Sequence, residues 1–337
     1  MSNWYLETTN EDTVISTRIR IARNISGIPF INKMSEQHAY NVINTIKNAI
    51  QNVDYGLKIL LLKDMDDITK LSLIEKHIIS PEFALNKTNI GAIAINEEEN
   101  ICIMINEEDH LRIQTFSTGL NLENALYLAT EIEKKLGEDI NYAYNDKYGF
   151  LTSCPSNVGT ALRASIMMHL PALTKTRNIQ KVLNVVNSFE MNIRGIYGEG
   201  TSSKGNIYQI SNKHTLGITE EETIQNLKSI TDKLIEQEKL ARKILTRKPI
   251  ELEDEIYRAY GILTNCKKIS SDECAMLLSK IRLGVDLGII KEITNAKINK
   301  LEIYTKPANL QKELGQVMDG YTRDIKRADI IKQIISK

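Results

Sequence analysis

The sequence predicts an α+β fold, an antiparallel sheet flanked by helices with a small all-helical region at the C-terminal end. Three observations carry that prediction. Apolar and basic side chains alternate with period two over residues 15–21, the spacing of a strand. Two apolar runs, 90–95 and 101–105, are joined by an acidic turn at 96–100 and read as a hairpin. From Glu251 to the end the pattern is helical and poor in strands.

Length and charge narrow the classes. At 337 residues the chain is long enough for two cores, and Pro249 marks the expected boundary, separating 1–249 from 250–337. Lys plus Arg and Asp plus Glu are each 43, so the zero net charge gives no electrostatic footprint for nucleic acid or an anionic membrane; any anion site must be local. Cys102, Cys154, Cys266 and Cys274 have neither the density of a disulfide framework nor the CxxC pairs of a structural zinc site, which fits a reducing cytoplasm. The N-terminus is not basic, no signal-length apolar segment follows it, and no apolar run approaches ~18 residues, so a soluble, unexported protein is expected.

In chain order, an extended segment over 14–30 puts Arg18 and Arg20 on one face, which suits either a phosphate clamp or a solvated, half-buried strand. Helical spacing follows over 35–52, a buried strand over 57–62, and a helix over 66–78 whose His77 either touches a nucleotide or caps the helix. The hairpin then delivers the chain to Asn106-Glu107-Glu108-Asp109-His110-Leu111-Arg112. Adjacent carboxylates repel, so at least one must find a cationic partner or a metal, or accept a raised pKa. A positively charged substrate satisfies them; an exposed acidic turn is the plainer reading. An amphipathic helix spans 121–136.

Residues 148–171 hold the densest set of special-purpose side chains. Cys154 precedes Pro155, and a polar turn of Ser156, Asn157, Gly159 and Thr160 runs into an apolar-periodic stretch that stops at Pro171. That pattern predicts a turn opening a helix, with Arg163 inside the helix. Such a terminus would hold anions, favour the Cys154 thiolate and let Arg163 fork onto phosphate oxygens, whereas the alternative is a buried structural cysteine beside a cap. A helix is expected from Pro171 to about Val186, then two strands within 188–210 flanking a long Gly- and Ser-rich loop that starts with Arg194, carries Glu199 and suits a functional lid. No Walker A sequence is present. Thr219 with Glu222, and Ser270 with Glu273, form capping boxes for helices reaching about Arg247 and Leu283. A last helix, beginning at Gly315 or later, places Arg323 and Arg327 four apart on one face.

Arg18, Arg20, Arg112, Arg163 and Arg194 on separate segments describe one polyphosphate pocket if those segments converge, with Glu108, Asp109, Glu199 and Cys154 beside it. The runs Ser16-Thr17-Arg18-Ile19-Arg20, Asn106 to Arg112, Cys154 to Thr160 with Arg163-Ala164-Ser165, and Arg194-Gly195-Ile196-Tyr197-Gly198-Glu199 resemble the catalytic motifs of the phosphagen (guanidino) kinases, in the family's order. Only fifteen residues precede Ser16, where creatine and free-arginine kinases carry a helical domain, and the tail after Pro249 is foreign to them. Both features resemble the bacterial protein arginine kinase branch. That branch also carries an Arg-Asp-x-x-Arg-Ala motif for phosphoarginine, matched by Arg323-Asp324-Ile325-Lys326-Arg327-Ala328.

The resemblance implies a phosphagen-kinase-like catalytic domain over 1–249 and a helical domain over 250–337 for phosphoarginine binding and dimerisation. It implies transfer of the γ-phosphoryl of ATP, with Mg²⁺, to arginine side chains of proteins, no protein side chain holding the metal directly. Ser16 to Arg20, His77, Arg112, Arg163, Ala164, Ser165, Ile166, Met167 and Arg194 to Glu199 would contact ATP. Glu108, Asp109 and Glu199 would align the guanidinium and accept its proton as the N–P bond forms, since its pKa above ~12 rules out earlier deprotonation. The Cys154 thiolate would add negative charge there. Implied partners are unfolded proteins, a heat-shock repressor, a zinc-binding activator protein, an AAA+ unfoldase-protease and a second copy of the chain, in a cytoplasmic stress-response and degradation setting. Alternatives are a kinase for free arginine or another small guanidino compound, and a catalytically weak phosphoarginine reader. Ser156, Val158 and Ala161 stand where relatives often have Thr, Leu and Gly.

Overall fold

The computed structural model describes residues 3–8, 13–85, 90–195 and 203–336. The chain packs as two compact units. One comprises Met1–Trp4, Ser16–Ser165 and Ser211–Lys228, the other Tyr5–Ile15, Ile166–Ile210 and Ser229–Lys337. Neither is a single stretch of chain, and neither ends at Pro249, which is the first-turn proline of a helix.

Ten strands are described: β1 (Val14–Arg23), β2 (Lys58–Leu61), β3 (Ala92–Ile95), β4 (Ile101–Ile105), β5 (Leu111–Thr118), β6 (Tyr144–Asn145), β7 (Gly149–Phe150), β8 (Leu162–His169), β9 (Met191–Gly195) and β10 (Ile207–Asn212). Eight form one sheet in the order β2-β3-β4-β5-β1-β8-β10-β9, and β6 and β7 form a small hairpin. The pairs β2–β3, β3–β4, β4–β5 and β5–β1 are antiparallel, as the 90–105 hairpin predicts.

In the first unit the register fixes which side chains share a face. Ala22 lies opposite Arg112, and Arg112 opposite Met104. Opposite residues point the same way, as do residues two apart along a strand, so Arg18, Arg20 and Arg112 share one face of the sheet. That face is covered by α2 (Asp67–Glu75) and α3 (Pro81–Leu85), through a core of Leu73, Ile78, Phe83, Ile93, Cys102, Met104 and Phe116. Asp66 caps α2, accepting from Thr69 N at 2.8 Å. Helix α1 (Glu36–Ala49) buries the stripe Ala39, Val42, Ile43, Ile46, and α4 (Leu122–Gly137) the stripe Leu122, Ala125, Ala129, Ile132, Leu136, each the one-sided pattern its sequence shows.

Three expectations are corrected. Residues 162–169 form strand β8, not a helix. Leu162, Ala164, Ile166 and Met168 are fully buried on one face, and Ser165 and His169 are buried on the other. A strand covered on both sides shows no polar–apolar alternation, and its Ala, Leu and Met are strong helix formers, so local propensity points the wrong way. Pro171 opens a helix, α5 (Pro171–Lys175), where its missing N–H is no loss; α6 (Ile179–Ser188) follows after a break at Arg177, φ +60°, replacing the expected single helix. Strand β2 is half exposed and lies at the sheet's edge rather than buried.

The second unit holds most of α7 (Glu220–Leu245) and all of α8 (Pro249–Asn265), α9 (Ser271–Asp286), α10 (Asn295–Tyr304), α11 (Pro307–Leu314) and α12 (Gly320–Ser336). The Thr219 box forms in both directions, Glu222 N donating to Thr219 Oγ1 at 3.1 Å and Thr219 N to Glu222 Oε2 at 2.9 Å, whereas Ser270 is an N-cap only, accepting from Glu273 N at 3.2 Å without the return bond of the predicted box. Its core includes Leu252, Ile256, Leu278, Ile281, Leu301, Ala328 and Ile331. Buried Glu238 accepts from Ala172 N at 2.9 Å and Leu173 N at 3.0 Å, and from Arg242 Nε at 3.1 Å. The start of α5 is thereby held to α7.

Candidate active site

Arg20, Glu108, Asp109, Arg112 and Arg163 line a single cleft of about 90 Å³ in the first unit, together with Asn157, Ala161, Asn212, Lys213 and Thr215. Arginines from β1, β5 and β8 thus converge with the acid loop between β4 and β5. Arg18 stands on the same face, its Nη1 donating to the His77 carbonyl at 3.3 Å and its Nε lying 3.5 Å from Ser165 Oγ. His77 itself adopts φ +61° just after α2, a left-handed conformation uncommon outside glycine.

The three consecutive acids meet three different fates. Glu107 is neutralised: its Oε2 pairs with Arg112 Nη1 at 2.9 Å and its Oε1 accepts from Ser80 Oγ at 2.7 Å. Asp109 is buried, and its Oδ1 accepts from Asn24 Nδ2 at 2.6 Å and from Ser153 N at 2.7 Å, so it ties the acid loop to the segment carrying Cys154. Glu108 is the exposed one, approached by Asn157 Nδ2 at 3.4 Å. Its outer atoms reach solvent, but the cleft walls strip part of its hydration. That burial raises its carboxyl above the ordinary carboxylate value, with the charges of Asp109 and Glu107 adding to the rise and Arg112 and a hydrogen bond with Cys154 opposing it. The repulsion inherent in the sequence is therefore concentrated on one side chain, and that side chain faces arginines.

His110 is scaffold. Its Nδ1 accepts from Ile25 N at 2.9 Å, which leaves Nε2 to donate to the Pro29 carbonyl at 2.9 Å, and burial lowers its pKa.

Cys154 does not precede an α-helix. A single 3₁₀ turn, Pro155–Asn157, follows it, so the macrodipole expected to favour its thiolate is lacking. What it has instead is Ser156 Oγ at 3.0 Å and the hydrogen bond with Glu108. The turn is fixed from outside. Thr215 Oγ1 donates to the Val158 carbonyl at 2.8 Å, the Thr215 carbonyl accepts from Thr160 N at 3.0 Å, and Arg23 Nη1 donates to the Thr160 carbonyl at 3.0 Å. Gly159 has φ +113°, and a Cβ there would stand 2.3 Å from the Thr215 carbonyl oxygen, so no other residue fits. Ala161 holds φ +51°, a left-handed conformation more natural to glycine.

Asn157, Asn212, Lys213 and Thr215 belong to the cleft and were absent from the sequence-derived site. Asn212 links β8 to the end of β10, accepting from Ala164 N at 2.9 Å and donating to the Leu162 carbonyl at 2.9 Å. The polar run 211–215 that closes β10 was the available signal.

Other expected site residues are not among those lining this cleft. Ser16, Thr17 and Ile19 are buried in β1, and Ala164 is buried in β8. Ile166, Met167, Arg194 and Gly195 belong to the second unit, where Arg194 Nη2 donates to Gln209 Oε1 at 3.2 Å. Ile196, Tyr197, Gly198 and Glu199, and with them most of the expected lid, fall outside the described residues. On α12, Arg323 and Arg327 do not share a solvated face. Arg327 is 1% exposed and donates to the carbonyls of Thr305 at 2.6 Å and Ile269 at 2.7 Å and to Asp324 Oδ1 at 2.6 Å, while Arg323 is partly exposed. The i,i+4 spacing is right, but the packing of α12 turns the second arginine inward. Among the described residues no group of three or more His, Cys, Asp or Glu side chains could hold a metal, and no helix is long and apolar enough to cross a membrane.

A family model described as ATP:guanido phosphotransferase, C-terminal catalytic domain, matches residues 40–241, and one described as Protein-arginine kinase McsB C-terminal domain matches 249–337. Among curated proteins, the chain is 41% identical over 335 residues to a protein-arginine kinase of Clostridium tetani, covering 99% of this chain and 98% of that one. It is 45% identical over 339 residues to one of Bacillus pumilus, covering 99% and 93%. Among solved structures, lombricine kinase is similar with a TM-score of 0.59 and 29% identity, over 69% of this chain and 68% of that one. The duplicated taurocyamine kinase of Schistosoma mansoni shares the fold with a TM-score of 0.62 at 24% identity, over 86% of this chain and 39% of that longer one.

Proposed function

The chain belongs to the protein-arginine kinases, a branch of the ATP:guanido phosphotransferases, and from that premise we propose that it moves the γ-phosphoryl group of ATP onto arginine side chains of proteins. The observation that carries this reading is Glu108. Its two neighbours are occupied by Arg112 and Asn24, and it alone of the three acids stands exposed in a cleft with three arginines.

Arg20, Arg112 and Arg163 suit the phosphates, because guanidinium forks bind phosphate oxygens with two bonds and stay charged. Mg²⁺ would be carried by the nucleotide's phosphates and water and would neutralise phosphate charge there. Glu108 would hold the incoming guanidinium. As the nucleophilic nitrogen forms its bond to the γ-phosphorus and the bond from phosphorus to the β,γ-bridging oxygen breaks, a proton passes from that nitrogen to the Glu108 carboxylate, and ADP departs. Cys154 and Asn157 orient Glu108, and Asp109 positions the Cys154 segment. Lys213 adds a cation at the cleft rim.

The finer parts of the reading extend it to a division at Pro249, a tail that binds phosphoarginine around Arg323, a homodimer, a cytoplasmic role in stress response and protein degradation, and the repressor, activator and unfoldase-protease partners. The match of residues 249–337 and the intact Arg323–Ala328 motif support the tail's part. In it, Arg323 is the arm for ligand, and Arg327 fixes Asp324.

The test is to incubate the purified chain with Mg-ATP and either an unfolded protein or free arginine, and to locate phosphate by mass spectrometry at neutral pH, since acid hydrolyses N–P bonds. Phosphate on protein arginines is expected; phosphate on free arginine alone would return the chain to the small-guanidino kinases.

A further inference from the structure

Among the described residues β2 stands at one edge of the sheet with β3 as its one neighbouring strand, and Leu60 on it is 43% exposed. Beside this edge a groove of about 620 Å³ runs along α1, lined by Tyr40, Ile43, Ile59 and Leu61. Lys47 and Asp64 also line it. The ammonium of Lys63 stacks over the Tyr40 ring at 5.5 Å, which places Tyr40 at the Leu61 end with Asp64; Lys47, two turns along α1, marks the far end.

Two observations join the Leu61 end to the active site. Asn106, which opens the acid loop, donates through Nδ2 to the carbonyls of Ala39, the residue before Tyr40, and of Ile90, each at 3.0 Å. In the register Leu61 lies opposite Ala92 and Ala92 opposite Ile105, so this end is two strand spacings, about 10 Å, from the strand end that leads into Glu107 and Glu108. Beside the exposed Lys63, that end carries exposed Asp64, Asp66 and Asp67, an acidic excess complementary to a chain that carries arginine.

We propose that the β2 edge and its groove hold an extended, arginine-bearing segment of the substrate polypeptide, paired to β2 as an added strand and leading its target arginine to Glu108. The inference rests on the protein-kinase reading above. An edge strand offers backbone donors and acceptors that pair with any extended chain, and side chains of alternate residues enter the groove, so affinity follows extension and apolar content more than exact sequence. Folded proteins have few strands free to pair this way. An added strand would lie three spacings from β4, about 14 Å, so the target arginine sits about four to six residues beyond the docked segment.

The experiment compares the full chain with its Leu60→Glu variant on casein, an unfolded protein, and on an arginine peptide too short to span the groove. Leu60 is exposed, so the melting temperature should hold. About a tenfold loss of kcat/KM on casein, carried by KM, is expected, with the peptide and ATP constants unchanged. No loss on casein, or an equal loss on both substrates, overturns the proposal. If the variant does not fold, a photo-crosslinking residue placed at position 60 decides: crosslinks to casein support the docking edge, and crosslinks only to a second copy of the chain overturn it. Absence of arginine phosphate with the unaltered chain would refute the kinase reading itself, and the crosslink would still decide the edge.

Discussion

Two arginine-rich regions carry similar sequence signals and use them in opposite ways. In the cleft, Arg20, Arg112 and Arg163 come from three strands and line open space beside Glu108. On α12, Arg327 is enclosed, and two backbone carbonyls and Asp324 take up its donors. The lesson is that a charged residue in a motif can be either the hand that holds a ligand or the peg that holds the hand. What separates them is what surrounds the guanidinium: carbonyls and a carboxylate enclose Arg327, whereas the three sheet arginines border a cleft that a ligand can enter.

Substitution should sharpen that contrast. Arg327→Met is expected to cost about 3–5 kcal/mol of stability, since two carbonyls and a carboxylate lose a buried cation, whereas Arg323→Ala should change stability by less than about 0.5 kcal/mol; urea unfolding of both variants checks this. If Arg327→Met unfolded like the parent, the peg assignment would be wrong.

Within the acid loop the same contrast predicts that Asp109→Ala, which strands the Asn24 amide and Ser153 N–H, costs about 2–3 kcal/mol. Neighbouring positions of the Cys154 turn should respond with opposite signs. Gly159→Ala drives a methyl into the Thr215 carbonyl and should destabilise by about 2 kcal/mol, while Ala161→Gly should stabilise by about 1 kcal/mol or less by removing left-handed strain. Calorimetric melts of the pair measure both.

The smallest expected effect is in pH. Because Glu108 titrates above the ordinary carboxylate value and must be ionised to take a proton, kcat/KM should rise with pH through that ionisation. Its ionisation also weakens the folded state, as a carboxyl raised on folding is favoured protonated, so its contribution to stability falls as pH rises from the unfolded value through the folded one. Cys154→Ala removes a hydrogen bond that lowers the Glu108 pKa, and should move the ascending limb of the profile to higher pH.

Much of the first unit was legible in the sequence. Period two over 15–21 put Arg18 and Arg20 on one face, and the hairpin register carried the acid loop to the arginines. The three-acid run foretold that at least one carboxylate would find a partner or carry a raised pKa, but which acid takes which fate depends on Asn24, Ser80 and Ser153, distant in sequence. Residues 162–169 were misread because burial on both faces erases the strand's alternation. For 212–215 the polar run is the one sequence signal, and nothing in its spacing announces that Thr215 and Asn212 clamp the 156–164 segment. Burial of Arg327 likewise comes from the packing of α12 against Thr305 and Ile269, which a helix-face argument cannot supply.

The central claim is that Glu108, rather than either neighbouring acid, meets the guanidinium. The most direct measurement is single-turnover phosphoryl transfer to an unfolded protein by Glu108→Gln beside Glu107→Gln, with nucleotide affinity and melting temperature recorded for both. Glu108→Gln should bind nucleotide and melt normally yet lose about 10³-fold in rate, while Glu107→Gln acts mainly through nucleotide binding, because it frees Arg112. Near-normal transfer by Glu108→Gln would contradict the account.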